Sequence, residues 1–195
     1  MEVLREGRWA LALTALFLST AVAQTDPNTC LACHGPGGNS VTAGIPSIAG
    51  QPKLFIENQL VLMREELRPA PQMQPIVKGM KDAEISRFAE HFSKLPAKVM
   101  ASGPADPALM KQGAARAKDL RCGVCHTSDF SGQNQIPRLA GQREEYLDSE
   151  MRAYRDGKRK GGDTIMTASL YGVSDADIKA LAHFLARSSV RAPAR

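Results

Sequence analysis

The sequence predicts an all-α fold made of two similar helical units in tandem. A seven-residue segment occurs twice, as IPSIAGQ at residues 45–51 and as IPRLAGQ at residues 136–142, an offset of 91 positions. A repeat that stays in register in this way is typical of a duplicated unit. Apolar residues follow each copy at helical spacing, and the alternation expected of a β-strand does not occur in the sequence.

In the first unit we expect one helix after the repeat and a second helix at the end. The first of these runs from about Lys53 to Glu66, and the prolines Pro69 and Pro71 would end it. The closing helix begins at Asp82 and carries an apolar stripe at helical spacing, made of Ile85, Phe88, Ala89 and Phe92.

The second unit repeats both helices and adds one before them. Pro107 opens a helix expected over 107–120, and Gly157 ends a helix expected over 143–155. Ser174 and Asp177 form a capping box before a closing helix whose apolar stripe is Ile178, Leu181, Ala182 and Leu185. The first unit leaves no room for a long opening helix.

The N-terminal residues resemble a targeting segment, which we place at 1–23. Arg5 and Arg8 precede an apolar run over 9–18, and Ala21 and Ala23 form a small-x-small cleavage site, so that Gln24 would be the first mature residue. The alternative is an uncleaved anchor, but a spanning helix needs about 20 apolar residues. The sequence therefore predicts an exported, periplasmic protein.

The mature chain divides into domains at 24–96 and 108–191, with a linker at 97–107 that contains Gly103 and Pro104. A unit of this size buries only about 60% of the surface that its unfolded chain exposes. We therefore expect that neither unit holds a unique core without a bound group.

All four cysteines lie in two copies of one motif. Cys30 and Cys33 precede His34, and Cys122 and Cys125 precede His126. The pattern C-x-x-C-H is typical of c-type haem attachment, in which both thiols bond to the haem and the histidine ligates its iron. A zinc site would need a shorter spacer than the 89 positions between Cys33 and Cys122, and a thiol redox pair would occur once. The motifs therefore predict two covalently bound haems.

His34 and His126 are the predicted fifth ligands, and Met73 and Met166 are the predicted sixth ligands. The two methionines follow their histidines by 39 and 40 residues, and each lies in a predicted loop nine residues before the aligned aspartate of a closing helix. The other candidates fail the comparison between repeats or lie within helices, where core packing is the usual role: Met80, Met63, Met151, His91 and His183.

Each histidine needs a fixed acceptor for its second ring nitrogen, and the two Ile-Pro segments are the candidates. Histidine and methionine together fill both axial positions, which raises the reduction potential relative to two histidines. An iron closed on both sides leaves no position for a substrate. One-electron exchange is the chemistry that remains.

The net charge of the mature chain lies mostly in its second half, with +1 before residue 101 and +4 after it. A basic cluster contributes much of this excess and consists of Arg152, Arg155, Lys158, Arg159 and Lys160. It is either a solvated helix end or a docking face for an acidic redox partner. Acidic residues lie in the same segment as this basic cluster, which favours its interpretation as a solvated helix end over that as a docking face.

The tandem motifs, the I-P-x-[IL]-A-G-Q segments, the two methionines and the closing helices resemble the dihaem class I cytochromes c of the c-four type. The resemblance implies two class I cytochrome c domains packed across a pseudo-twofold axis. It also implies that the carbonyls of Pro46 and Pro137 accept hydrogen bonds from His34 and His126. The first unit, with CHGPGGNSV after its attachment site, also resembles the cytochrome subunit of flavocytochrome c sulfide dehydrogenase.

Two functions follow from these resemblances. The first is a periplasmic electron carrier, soluble or loosely attached to the membrane, between respiratory partners such as a quinol-oxidising complex and a terminal oxidase or reductase. The alternative is the electron-accepting subunit of a flavoprotein dehydrogenase. We expect redox proteins, and no nucleic acid, as partners. A dihaem peroxidase would need one open iron and a longer chain.

Overall fold

The computed structural model describes residues 26–190 as helices joined by turns and loops. Within this range the only strand-like pairing is an isolated bridge between Gln133 and Ile136. The predicted all-α class is therefore confirmed for the described chain. The predicted targeting segment lies outside the described residues.

In the part of the first unit that the structure describes there are four α-helices, α1 (Leu31–His34), α2 (Lys53–Arg64), α3 (Gln74–Val77) and α4 (Asp82–Lys94). The prediction for α2 extends two residues beyond its observed end. The closing helix α4 begins as predicted, because the Glu84 side chain accepts a hydrogen bond from the backbone of Lys81. A single 3-10 turn, Pro27–Cys30, precedes α1 in the described chain.

Up to residue 190 the second unit contains five α-helices, α5 (Pro107–Asp119), α6 (Cys122–Cys125), α7 (Glu144–Arg155), α8 (Thr164–Leu170) and α9 (Asp175–Arg187). Both α5 and α7 begin and end within one residue of their predicted bounds. Ser174 accepts a hydrogen bond from the Asp177 amide at 3.1 Å and caps α9 as expected. The short helices α3 and α8 were not predicted.

The hydrophobic cores of the two units are organised differently. In the second unit α5 and α7 both pack on α9 around one continuous cluster. Gly113 makes this packing close, since a Cβ atom at that position would lie 2.2 Å from the Ala180 carbonyl oxygen. In the first unit α2 packs on α4, and the buried residues form two separate clusters, one of Met63, Val77, Met80, Ile85 and Phe88 and one of Ile56, Ala89 and Phe92.

The two repeat segments are fixed to their closing helices in the same way. The amide of Gly50 donates to the Phe92 carbonyl, and the amide of Gly141 donates to the Leu185 carbonyl, both at 2.9 Å. Both glycines have a positive φ, 62° and 66°, which favours glycine at this turn. The repeat therefore has a structural cause. Within residues 26–190 no helix combines the length and apolar character needed to cross a bilayer.

Candidate haem sites

The two predicted fifth ligands have the same geometry in both units. The Nδ1 atoms of His34 and His126 lie 2.8 Å from the carbonyl oxygens of Pro46 and Pro137, respectively. Both rings are buried, and burial lowers the pKa of each below its ordinary value. Each imidazole is therefore neutral near pH 7 and donates its Nδ1–H to the carbonyl.

This arrangement fits the ligation of a metal by the other ring nitrogen. Within the described chain neither Nε2 has a hydrogen-bond partner. A carbonyl that accepts from Nδ1–H fixes the ring orientation and makes the remaining nitrogen a better ligand. The prediction that the Ile-Pro segments supply an acceptor for the second ring nitrogen of each histidine is thus confirmed by the two hydrogen bonds.

The cysteines are placed alike in the two motifs. Cys30 and Cys122 are half-buried, whereas Cys33 and Cys125 are exposed. Burial raises the pKa of the Cys30 and Cys122 thiols. A reactive redox thiol instead has a lowered pKa. Each motif therefore has one half-buried thiol and one exposed thiol. This arrangement is compatible with a haem that would lie inside the unit with one edge exposed to solvent.

Met73 and Met166 are half-buried and pack against the core of their own units. Their predicted position in a loop is only partly right. Met73 precedes α3 as its N-cap residue, and Met166 lies in the first turn of α8. The signal for α8 in the sequence is its N-cap: the Asp163 side chain accepts a hydrogen bond from the Ile165 amide at 2.8 Å.

The other candidate ligands have structural roles. His183 is buried, with Nδ1 3.0 Å from a Glu144 carboxylate oxygen and Nε2 accepting from the Asp106 amide at 2.9 Å. His91 packs against the edge of the Phe92 ring. Three methionines are buried in the core clusters, namely Met63, Met80 and Met151.

The basic cluster at residues 152–160 is occupied mainly by internal ion pairs. Arg152 and Arg155 both bind Asp175, and Arg159 binds Glu150 at 2.6 Å. These contacts favour the interpretation as a structured helix end over that of a free docking face.

The two sites are joined through their repeat segments. Gln51 bonds to both backbone polar atoms of Arg138, donating to the carbonyl at 3.0 Å and accepting from the amide at 2.9 Å. Gln142 makes the same pair of bonds to the backbone of Ser47, at 2.9 Å and 2.7 Å. Equivalent residues exchange equivalent contacts, which is the property of a twofold interface.

A buried cation lies at this interface. The Arg138 side chain bonds to the carbonyls of Ala49, in the first unit, and Ala140, and its Nε has no hydrogen-bond partner in the described chain. Burial lowers the pKa of Arg138 to about 10, so the guanidinium still carries its charge at neutral pH. No carboxylate within residues 26–190 forms an ion pair with it. An acidic group from outside the polypeptide, such as a haem propionate, would complement this charge.

A second set of polar contacts, largely buried, also joins the two units. Arg68, four residues beyond the end of α2, lies 3.2 Å from the Tyr146 hydroxyl and 3.3 Å from Glu150. Gln59 accepts from Arg68 and also from Arg159 across the interface, at 2.8 Å and 2.9 Å. Burial raises the pKa of Tyr146, so its hydroxyl remains protonated.

The residues that join the two units are not among the functional residues predicted from the sequence. A signal was present, because Gln51 and Gln142 are identical at the repeat offset and would both be polar in a segment that packs on a core. The position at Arg138 gave no such signal, because its counterpart is Ser47.

Two small helical units, each with a carbonyl-held histidine beside a pair of half-buried and exposed cysteines, define a protein of the class that carries covalent haem. The family model "Cytochrome c" matches residues 110–189. The thiosulfate dehydrogenase electron acceptor of Thiomonas intermedia is 31% identical over 184 residues, covering 86% of this chain and 82% of the relative.

Cytochrome c4 of Stutzerimonas stutzeri is 31% identical over 176 residues and covers 80% of this chain and 82% of its own. The crystal structure of reduced cytochrome c4 from Pseudomonas stutzeri superposes with a TM-score of 0.75 at 29% identity, over 83% of this chain and 94% of that one. The chain belongs to the dihaem cytochromes c of the c4 type, and it carries two covalently bound haems.

The buried charge of Arg138 leads to a prediction about reduction potentials. Two unit charges about 10–15 Å apart have an interaction energy of about 1–2 kcal/mol at an effective dielectric constant of 20. A buried cation disfavours the more positive, oxidised iron. We therefore expect Arg138→Gln to lower the haem potentials by roughly 50 mV, as measured by spectroelectrochemical titration.

Two variants control for effects other than charge. Arg138→Lys keeps the charge, so its haem reduction potentials should stay close to those of the unaltered protein. Arg121→Gln removes an exposed arginine beside the second attachment motif, where solvent screens the charge, and should shift the potentials much less. Equal shifts in the Arg138→Gln and Arg121→Gln proteins would contradict the role of burial.

Proposed function

We propose that this protein transfers single electrons between redox proteins through two haems held by its two units. In this proposal the thiols of Cys30 and Cys33 bind the first haem, and those of Cys122 and Cys125 bind the second. His34 and Met73 are the axial ligands in the first unit, and His126 and Met166 are those in the second. When bound, each haem supplies an iron that changes its oxidation state by one electron.

The observation that carries this proposal is the matched pair of histidines. Both rings are buried, both donate Nδ1–H to a proline carbonyl, and both retain a free Nε2 in the described chain. Duplicated geometry of this kind supports two metal centres of the same type. A methionine at the equivalent place in each unit supports closure of the second axial side.

The exposed parts of the attachment motifs support exchange with a partner. Cys125 is exposed, and the neighbouring Val124 side chain is 73% exposed although it is apolar. An apolar contact close to the haem edge lets a redox partner approach without displacing tightly held water. This suits short-lived encounters between electron-transfer proteins.

Replacing Met166 by histidine tests the sixth ligand. Axial ligands span about 0.8 V in haem proteins, and histidine in place of methionine lowers the potential. We expect Met166→His to lower the potential of one haem by roughly 100 mV or more and to remove half of the near-infrared band that reports a methionine–iron bond. Redox titration and near-infrared absorption measure the two effects.

Met151→Leu is the matched control, because Met151 is a buried core residue of the same unit. This variant should keep the whole band. If Met166→His kept the band and Met151→Leu lost half of it, the assignment of the sixth ligand would be wrong.

A second function is supported by the thiosulfate dehydrogenase electron acceptor of Thiomonas intermedia. In this case the protein accepts electrons from a dehydrogenase that oxidises a reduced sulfur compound, as the resemblance to the sulfide dehydrogenase subunit also implies. Native purification through high salt distinguishes the two functions. A stable complex with a dehydrogenase chain favours the subunit, and a free monomer reduced by several donors favours the carrier.

The proposed site of action is the periplasm, with the protein either soluble or loosely attached to the membrane. The support is the targeting pattern over residues 1–23. Mass spectrometry of the native protein should find Gln24 at the N-terminus and two haems per chain.

A further inference from the structure

The same arginine contact closes the methionine-bearing segment in both units. Arg64 is the last residue of α2, and its Nη1 donates to the Met80 carbonyl at 2.9 Å and to the Asp82 carboxylate at 2.7 Å. These partners lie beyond Met73 in the chain. Arg64 therefore joins the two ends of a segment, residues 65–79, that contains the proposed sixth ligand.

The second unit repeats this contact at equivalent positions. Arg155 is the last residue of α7, and its Nη1 donates to the Val173 carbonyl at 3.2 Å and to the Asp175 carboxylate. It closes residues 156–172, which contain Met166. The two carbonyls belong to residues that align in the repeat, although one is a methionine and the other is a valine.

Each arginine is held by several contacts, although its aspartate partner is exposed, Asp82 at 87% and Asp175 at 69%. The side chains of Arg64 and Arg155 are only 19% and 20% exposed. In each case Nε binds the carboxylate of the next residue, Glu65 or Asp156, at 2.8 Å, which fixes the guanidinium plane. Bonds from a charged donor are among the stronger hydrogen bonds in proteins.

The segments themselves contain little regular structure to hold them in place. In the first unit only α3, of four residues, lies between the ends, and in the second only α8, of seven residues. Segments of this kind open locally at a lower cost than the helices that flank them. Closing the ends by a guanidinium makes such opening more costly.

We infer that Arg64 and Arg155 are positioning residues for the sixth ligand, which hold Met73 and Met166 against replacement by an outside ligand. This inference rests on the proposed ligation by the two methionines. This role differs from general stabilisation of the fold, because each arginine affects the opening of only the segment that carries its methionine.

Imidazole displacement tests the inference. Oxidised dihaem protein is mixed with excess imidazole at fixed pH, and the loss of the near-infrared methionine–iron band is followed in time. We expect Arg64→Gln to accelerate the loss of half of the band by roughly tenfold or more, equivalent to about 1.4 kcal/mol, while the other half keeps its original rate. The unaltered unit serves as an internal control, and Arg155→Gln should affect the other half.

Two further sets of variants separate positioning from general stability. Glu65→Gln and Asp156→Asn remove the negative charge beside Nε but keep an oxygen that can accept its hydrogen bond, and they leave the bond to the carbonyl, so the rate should change little. Arg64→Lys keeps a charged donor and should restore part of the slow exchange. Denaturant unfolding of each variant gives the free energy of global unfolding for comparison.

The inference is overturned if the arginine variants exchange at the original rate, or if exchange accelerates only in proportion to the loss of global stability. If the unaltered protein lacks the band, methionine ligation fails, and the inference fails with it. A normal band with unchanged exchange in Arg64→Gln and Arg155→Gln would refute only the role of the arginines.

Discussion

Replacing Cys30 and Cys33 by serine should yield a protein with one covalent haem and no stable first unit. The buried residues of this unit form two separate clusters, and Cys30 packs against one while Met73 packs against the other. Within the described chain only the half-buried Leu60 packs against both clusters, and a haem between the cysteine side and the methionine side would extend this connection. Without it, the marginal burial available to a unit of this size would be divided between two clusters.

The expected loss is large and measurable. Hydrogen exchange of the α2 and α4 amides should accelerate by roughly several thousandfold, because the first unit would lose a free energy of unfolding of about 5 kcal/mol. Haem content by pyridine haemochrome absorption should fall from two to one per chain.

The corresponding variant of the second unit, Cys122→Ser with Cys125→Ser, provides the comparison. Here α5 and α9 pack closely at Gly113 within one continuous cluster, so that part of the helical structure should persist without haem. The two double variants should therefore lose one haem each but differ in residual helix. Equal protection of α2 and α4 in the first variant and in the unaltered protein would refute the dependence on haem.

Replacing Gln51 and Gln142 by alanine should separate the unfolding of the two units. Each glutamine is nearly fully buried and satisfies a backbone amide and a carbonyl of the other unit. A buried polar group without a partner costs about 1–3 kcal/mol, so each substitution should cost roughly 2–6 kcal/mol. In the double variant water can enter the interface and bond to the unpaired backbone groups, so the loss of stability is smaller than the sum of the two single costs.

Guanidinium chloride unfolding, followed by haem absorption, measures this effect. We expect one cooperative transition in the unaltered protein and two in the double variant. A matched control is Asn58→Ala with Gln135→Ala, which removes an amide hydrogen bond of 2.8 Å between the units that is exposed to solvent. This pair should change the free energy of unfolding by less than about 0.5 kcal/mol. Similar losses in both double variants would contradict the role of burial.

The helices were predictable where local signals agreed with packing. The stripe at Ile85, Phe88 and Phe92 predicted α4, and the Ser174 cap predicted α9, because both signals involve residues within one or two helical turns. The short helices α3 and α8 carry little periodic signal. Met166 was therefore assigned to a loop although it lies in a helical turn.

The sequence by itself determined how the haem is attached, because the two cysteines and the histidine that the attachment needs lie within five consecutive residues. It also determined the duplication, and with it the matched roles of Pro46 and Pro137. Only the tertiary structure decided how the units meet and which groups hold the methionine segments. The bonds of Gln51 and Gln142 join residues 87 and 95 positions apart. Whether a donor and an acceptor so far apart in the chain meet depends on the packing of all helices between them, and no local pattern encodes that packing.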